Sequence, residues 1–181
     1  MAVIEAISTT YLDAPAASIG FTSIPGTYKH LQLRISIQDE AATSYTYLYL
    51  RFNGYNTDSI YTRHWFQAVT ATKAGSSSAA QTRIGPAPAK YPIVDKELYS
   101  GIVVDILDYT NTNKNTTAQY TGGVANNNSA RYGGASTSIV MTGGVMWDNT
   151  LAITDIVVSD ASGLSADLAR GTVMTLYGIN D

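Results

Sequence analysis

The chain has 181 residues, enough to bury a single core, and no cysteine, which excludes disulfides, thiolate zinc sites and thiol nucleophiles. Charged residues make up 14% of it, against about 25% in a typical soluble domain, and its formal net charge of −3 provides no long-range attraction for nucleic acid. Low charge with plentiful Tyr is typical of a surface that other proteins cover, although a stable β-domain with a neutral surface would have the same composition.

The first twenty residues are predicted to form an N-terminal strand or arm, and residues 21–181 a single β-sandwich domain. Val3 to Thr9 has the composition of a strand, and Asp13 to Ala17 that of an extended segment. The strand either closes one edge of the sandwich or crosses to a neighbouring subunit. No basic segment followed by an apolar run opens the chain, and no run approaches the ~20 apolar residues that span a bilayer, so we expect synthesis in a cytosol and no membrane partner.

The clearest strand signal lies at residues 31–38, where Leu and Ile occupy every second position. A second strand is predicted over residues 44–52, with aliphatic and Phe side chains on one face and Tyr on the other. It ends in Asn53-Gly54, a pair that accepts positive φ in tight turns, and a third strand is predicted over residues 59–68. We interpret the second and third strands as a hairpin with a long loop.

The middle of the chain alternates weak and strong signals. Residues 69–92 are rich in Ala, Ser, Gly and Pro and are predicted to be a long connection that contains one short edge strand at 81–84. Tyr99 to Tyr109 is nearly continuous in apolar character, which predicts a strand covered on both faces. A polar loop is predicted over residues 110–117, with a weak strand after it at 118–124.

Three more strands are predicted at residues 136–147, 151–159 and 171–179, and the linker at 162–168 is interpreted as one helical turn. Many strands separated by turns, without amphipathic helices between them, exclude the classes in which strands and helices alternate. The predicted fold class is therefore all-β, an antiparallel two-sheet, jelly-roll-like sandwich of eight or more strands.

Catalytic and metal-binding patterns are sparse. His30 and His64 are the available near-neutral proton carriers, and both lie in or beside predicted strands without a nucleophile motif. Two carboxylate pairs are candidates for acid–base catalysis, Asp105 with Asp108 and Asp95 with Glu97. Asp105 and Asp108 are three residues apart on a strand, so their side chains point to opposite faces. We therefore predict a non-enzymatic protein with no catalytic residues, no cofactor and no metal site.

Aromatic side chains are the remaining candidates for a binding surface. Tyr side chains alternate along residues 45–49, and further rings follow closely in the sequence. Such rings combine apolar area with a polar tip, so they suit a protein interface or a sugar, and they could equally form an inner layer of the sandwich. The candidate interaction residues are Tyr45, Tyr47, Tyr49, Tyr55, Tyr61 and Trp65.

Four segments, in the same order over most of the chain, resemble virion structural proteins of tailed bacteriophages, including phages of cyanobacteria and other aquatic hosts. They are residues 24–34 (IPGTYKHLQLR), 48–54 (LYLRFNG), 104–109 (VDILDY) and 176–179 (LYGI). Some proteins of this group look like capsid decoration (cement) proteins and others like tail or fibre components.

The resemblance implies a homotrimeric decoration protein, located in the virion and assembled in the host cytoplasm, that binds and stabilises the lattice of the major capsid protein or another virion protein. Many modest contacts in a closed lattice reinforce one another, so no single tight site is needed. The alternative is a glycan-binding module of a tail fibre or baseplate. An isolated enzyme is a third hypothesis, which turnover abolished by His64→Ala would support.

Overall fold

The structure is a computed structural model of the full chain, and it describes residues 3–41, 45–69, 72–79, 82–88, 98–125, 138–161 and 166–180. Twelve strands in the described residues form two antiparallel sheets, one of eight strands and one of four, packed face to face. This confirms the predicted fold class. No helix within the described ranges is long and apolar enough to cross a membrane.

The larger sheet contains eight strands, in the spatial order β1 (Val3–Tyr11), β12 (Val173–Asn180), β3 (His30–Ile37), β8 (Ser100–Leu107), β9 (Thr116–Val124), β10 (Ile139–Trp147), β5 (Tyr61–Val69) and β6 (Thr72–Ala79). The smaller sheet has the order β2 (Ser18–Phe21), β11 (Ile156–Asp160), β4 (Tyr45–Phe52) and β7 (Arg83–Pro88). The chain passes repeatedly from one sheet to the other, and one 3₁₀ turn (Asp58–Ile60) precedes β5.

The core lies between the sheets and is built from every second residue of the central strands. In β3 the four aliphatic positions are buried and the polar positions between them face outward, as the alternation predicted. In β4, Leu48, Leu50 and Phe52 have no exposed surface, so the aliphatic face of this strand is its inner face. The largest fully buried side chains are Trp147, Tyr61, Tyr109, Tyr120 and Phe52.

The predicted hairpin between β4 and β5 is wrong, because the two strands belong to different sheets. The turn residues themselves are as predicted, with φ of 50° at Asn53 and 71° at Gly54. The Asn53 side chain, however, bonds the segment that leads into β11: it donates to the Ala152 carbonyl at 2.8 Å and accepts from the Thr154 amide at 2.8 Å. The residues between Asn53 and Tyr61 then cross the roughly 10 Å between the layers.

The predicted long connection at residues 69–92 is wrong in that it contains two strands, β6 and β7, although β7 is an edge strand that overlaps the short one predicted at 81–84. Strand β6 is an edge strand whose small side chains are mostly exposed, so no apolar alternation marks it in the sequence. Strand β8 differs from its prediction in another way: it is covered on one face only. Val103 and Leu107, on its other face, are 38% and 42% exposed.

The N-terminal segment pairs with other strands of the same chain. Strand β1 pairs antiparallel with β12 along its length, with one irregularity between Ala6 and Ser8, and closes one edge of the larger sheet. Ala16 forms a bridge with Leu168, and β2 pairs with β11 in the smaller sheet. The helical turn predicted at 162–168 falls in part on residues 162–165, which lie outside the described residues.

Candidate functional site

A groove crosses the outer face of the larger sheet, the face turned away from the smaller sheet. Strand pairing places four outward-facing residues side by side on adjacent strands, one each from β5, β10, β9 and β8. In that order they are His64, Gly144, Gln119 and Asp105. Because Gly144 has no side chain, the row has a gap between the imidazole of His64 and the amide of Gln119.

A second row runs parallel to the first, displaced by two residues on each strand, and forms the second wall. It contains Phe66, Thr142, Thr121 and Val103, again on adjacent strands. Phe66 is 52% exposed, so its ring is available to a ligand. The Thr121 and Thr142 hydroxyl oxygens lie 3.1 Å apart and share a hydrogen bond. Together the two rows enclose a groove of about 510 Å³.

A chain of hydrogen bonds fixes one end of the groove. Arg34 Nε donates to Gln32 Oε1 at 2.9 Å, and Gln32 Nε2 donates to Asp105 Oδ1 at 2.7 Å. The Arg34 guanidinium also lies over the ring of Tyr177, 4.6 Å from its centroid. Asp105 is therefore a half-buried carboxylate of fixed orientation that lines the groove.

The groove does not bring an acid and a base together. His64 and Asp105 are separated by three strand spacings, about 14 Å along the sheet, whereas proton transfer needs contact at roughly 3 Å. Within the described ranges, no group of three or more His, Asp and Glu side chains is placed to hold a metal ion. The arrangement can contact an extended ligand at several points, but these two groups cannot act on one bond.

The aromatic residues singled out from the sequence belong to a different cluster, where β5 meets β4. The Arg63 guanidinium carbon lies 3.7 Å from the centroid of the Trp65 ring and 5.7 Å from that of Tyr47. The Tyr47 hydroxyl donates to Gln67 Oε1 at 3.1 Å. Burial lowers the pKa of Arg63, yet two aromatic rings beside it offer partial compensation. Tyr47 and Trp65 are thus half-buried, and both rings already contact the Arg63 guanidinium.

A second arginine continues the cluster. The Arg51 guanidinium pairs with Asp58 and lies 4.3 Å from the ring centroid of Tyr49 and 5.1 Å from that of Tyr61. Tyr61 is completely buried; its hydroxyl accepts from the Phe52 amide and donates to the Tyr55 carbonyl, both at 3.1 Å. Tyr61 is therefore a core residue, in line with the inner-layer alternative that the sequence left open for these rings.

The two remaining predicted rings lie at the margins of this cluster. Tyr45 makes an edge contact with Tyr47 at 5.7 Å between centroids, and Tyr55, 38% exposed, packs on Trp147 at 5.6 Å. The structure thus brings the predicted residues together, but mostly as a packed aromatic and guanidinium cluster. Their role in binding a partner stays a prediction.

The other candidate acid–base residues have structural partners. His30 Nδ1 accepts a hydrogen bond from the Asp108 amide at 2.9 Å, and the Lys114 ammonium beside Asp108 lowers the pKa of that carboxyl. These contacts fix the turn after β8, where Asp108 has a φ of 48°. Asp95 and Glu97 lie outside the described residues.

Sequence reasoning missed the groove, although part of its signal was present. In β9, Gln119 and Thr121 alternate with buried Ala118 and Tyr120, which is the pattern of a polar outer face. The alignment of these residues with His64 depends on β9, β10 and β5 being neighbours, which local pattern does not encode. Polar positions on single strands were visible, whereas the row across four strands was not.

Comparison with known proteins gives no family assignment. No family model matches the chain, and no curated protein matches it. Among solved structures, Caenorhabditis elegans galectin LEC-6 is similar over 96% of both chains, with 8% identity and a TM-score of 0.33. A protein of unknown function from Shewanella oneidensis MR-1, SO2946, is similar over 97% of this chain and 75% of its own, with 7% identity and a TM-score of 0.22. Scores this low carry no information about function.

Proposed function

We propose that the chain is a non-enzymatic structural protein of a tailed-bacteriophage virion: a capsid decoration protein that binds the major capsid protein lattice as a homotrimer. The observation that carries this proposal is the composition of strand β1. It lies at the edge of the larger sheet, and its outer side has no paired strand among the described residues. Nearly all of its side chains are exposed.

Three large apolar side chains are exposed on β1: Val3 at 51%, Ile4 at 54% and Tyr11 at 50%. The strand carries one charged residue, Glu5, whose carboxylate accepts a hydrogen bond from the Tyr28 hydroxyl at 3.1 Å. Edge strands of soluble proteins are usually protected by charge, proline or a covering element. An unprotected apolar edge suits a protein whose working state is covered by neighbours.

The packing of the segments that resemble phage virion proteins adds support. Tyr28, from the first segment, lies against Gly178 in the last one, and the Tyr109 hydroxyl, from the third, donates to the Pro25 carbonyl. The first, third and fourth segments therefore pack together around β3, β8 and β12, whereas the second, residues 48–54, lies in β4 of the smaller sheet and the turn after it. This packing gives the contacting residues a structural role, as expected for a virion component.

The test is particle binding by edge variants. Purified virion shells that lack the chain are mixed with wild type, Ile4→Lys or the control Thr62→Lys, which places the same charge on an exposed position of β5. We expect Ile4→Lys to lose particle binding by tenfold or more in co-sedimentation, because a lysine at the contact must be desolvated. Thr62→Lys should bind like wild type.

If Ile4→Lys and wild type bind particles equally well, β1 does not contact the capsid. Tyr47→Ser with Tyr49→Ser then tests the other predicted surface, and if that variant also binds normally, this docking mechanism is wrong. A density map of purified particles gives an independent test, because density for the chain on the tail would contradict a capsid role.

A further inference from the structure

We infer that the groove across strands β5, β10, β9 and β8 binds an uncharged oligosaccharide that lies across the strands. The groove is separated from β1 by strands β12 and β3, so this inference does not depend on the proposed docking edge. Of the aromatic cluster around Arg51 and Arg63, Trp65 also lines the groove, but the ligand contacts proposed for the groove use other residues.

The hydrogen-bonding groups of the groove match sugar hydroxyls. Each hydroxyl both donates and accepts, so a site for several of them needs both functions along one line. Asp105 supplies acceptors, the Gln119 amide supplies a donor and an acceptor, and the His64 imidazole supplies one of each when neutral. These groups lie in one row at strand spacing, and Thr121 and Thr142 offer further hydroxyls beside them.

The second wall supplies the apolar contact that a pyranose ring needs. One face of a sugar ring consists of C–H groups, which pack on an aromatic face while the hydroxyls bond at the ring edge. Phe66 is half exposed and stands beside the polar row, directly across from Thr142. A ring lying over the Gly144 gap could contact Phe66 and the polar row together.

Charge favours an uncharged ligand over the other extended polymers. The groove lining includes the single carboxylate of Asp105, and Arg34, which pairs with Val103 from the neighbouring strand β3, is directed to Gln32 and the Tyr177 ring. Nucleic acids and sulfated glycans need several cationic groups, which this lining does not supply. The hydrogen-bond chain from Arg34 to Asp105 also fixes the carboxylate before binding, which lowers the entropy cost of holding a ligand.

Two glycine variants of the full chain provide the test. A Cβ built on Gly144 has its nearest neighbour, the Ala118 carbonyl oxygen, at 3.7 Å, and a Cβ on Gly101 has nothing within 4 Å. Both positions therefore have room for a Cβ, and we expect each to accept Val, a residue that strands favour. Gly144→Val fills the groove between His64 and Gln119, whereas Gly101→Val places the same side chain on the outer face of β8, outside the groove lining.

Wild type is applied to an array of neutral, sialylated and sulfated glycans, and the best neutral glycan is then titrated by isothermal calorimetry. We expect saturable binding by wild type and Gly101→Val, at least a tenfold loss in Gly144→Val, and about a tenfold loss in Gln119→Ala, the scale of one hydrogen bond. Phe66→Tyr should retain binding and Phe66→Ala should lose it.

Absence of saturable binding to any neutral glycan would overturn the inference, as would preference for sulfated or sialylated glycans, or equal affinity of Gly144→Val and Gly101→Val. Measuring Ile4→Lys in the same titration separates the two proposals. That variant should bind glycan normally even if it fails to bind particles.

Discussion

Asp39 is the residue at which burial and charge conflict most directly. Its side chain has no exposed surface, and Oδ1 accepts a hydrogen bond from the Ala41 amide at 2.7 Å. Burial raises the pKa of Asp39 to about 6, and the neighbouring Asp160 carboxylate adds to the increase. Local sequence pattern does not indicate this, because Asp39 simply follows the alternating strand β3 and has the character of a first loop residue.

The raised pKa predicts a pH dependence of stability. Above pH 6 the carboxylate is charged in the folded state at a cost, and this cost is relieved as the pH falls from about 6 toward the unfolded pKa near 4. Asp39→Asn keeps an acceptor for the Ala41 amide without the charge. We expect it to raise the free energy of unfolding at pH 7.5 by about 1–3 kcal/mol, measured by urea denaturation.

The same variant should show a flatter stability profile than wild type between pH 7 and pH 4. A wild-type protein whose stability falls monotonically over this interval, in parallel with Asp39→Asn, would contradict the raised pKa. Asp148→Asn is a suitable control, because Asp148 is exposed, bonds the Asn115 side chain, and should leave the profile near that of wild type.

At the scale of elements, strands with one buried face could be predicted from sequence and their partners could not. The alternation in β3 and β4 predicted the correct strands, and in β3 it also predicted the correct inner face. The Asn53-Gly54 turn also had the predicted φ values, but its hydrogen bonds link it to the segment before β11, which lies about a hundred residues away. Turn geometry is local, whereas the choice of sheet depends on these distant contacts.

Strand β6 could not be predicted from the sequence at all. A strand built mostly of Ala, Gly and Ser and exposed on both faces has no period to detect, because it is held by pairing with β5 rather than by burial. The groove follows the same logic: each outward polar residue could be inferred on its own strand, and their alignment required the strand order.

The loop before β3 packs on β12 through a ring and a glycine. A Cβ added to Gly178 would collide with the Tyr28 ring, which lies directly on the backbone there. Gly178→Ala must therefore displace Tyr28, and we expect a loss of about 1–3 kcal/mol in the free energy of unfolding. Thermal or urea unfolding measures the loss, and Gly101→Ala, in open space, serves as the matched control.

The double variant Tyr28→Ala, Gly178→Ala tests whether the loss of stability comes from collision of the new Cβ with the Tyr28 ring. Because the double variant has no ring to displace, its total loss of stability should be smaller than the sum of the two single losses, giving a favourable coupling in the mutant cycle. Strict additivity would mean that the ring and the glycine are not in contact.

At the scale of the whole molecule, the proposed homotrimer predicts self-association. The purified chain should sediment as a trimer, and its thermal midpoint should rise with protein concentration, because assembly stabilises the folded state by mass action. A wild-type chain that remains monomeric with a midpoint independent of concentration would contradict the homotrimer.

The two ends of the larger sheet are not equivalent. One end carries Val3, Ile4 and Tyr11, while the other, β6, carries Lys73 and serine side chains open to water. To continue the sheet from one molecule to the next, the apolar edge strand β1 would have to pair with the hydrated edge strand β6 of another copy. We do not expect this pairing, because the two edges are not complementary. Copies released into a crowded cell would therefore resist growing into filaments before they reach their final position.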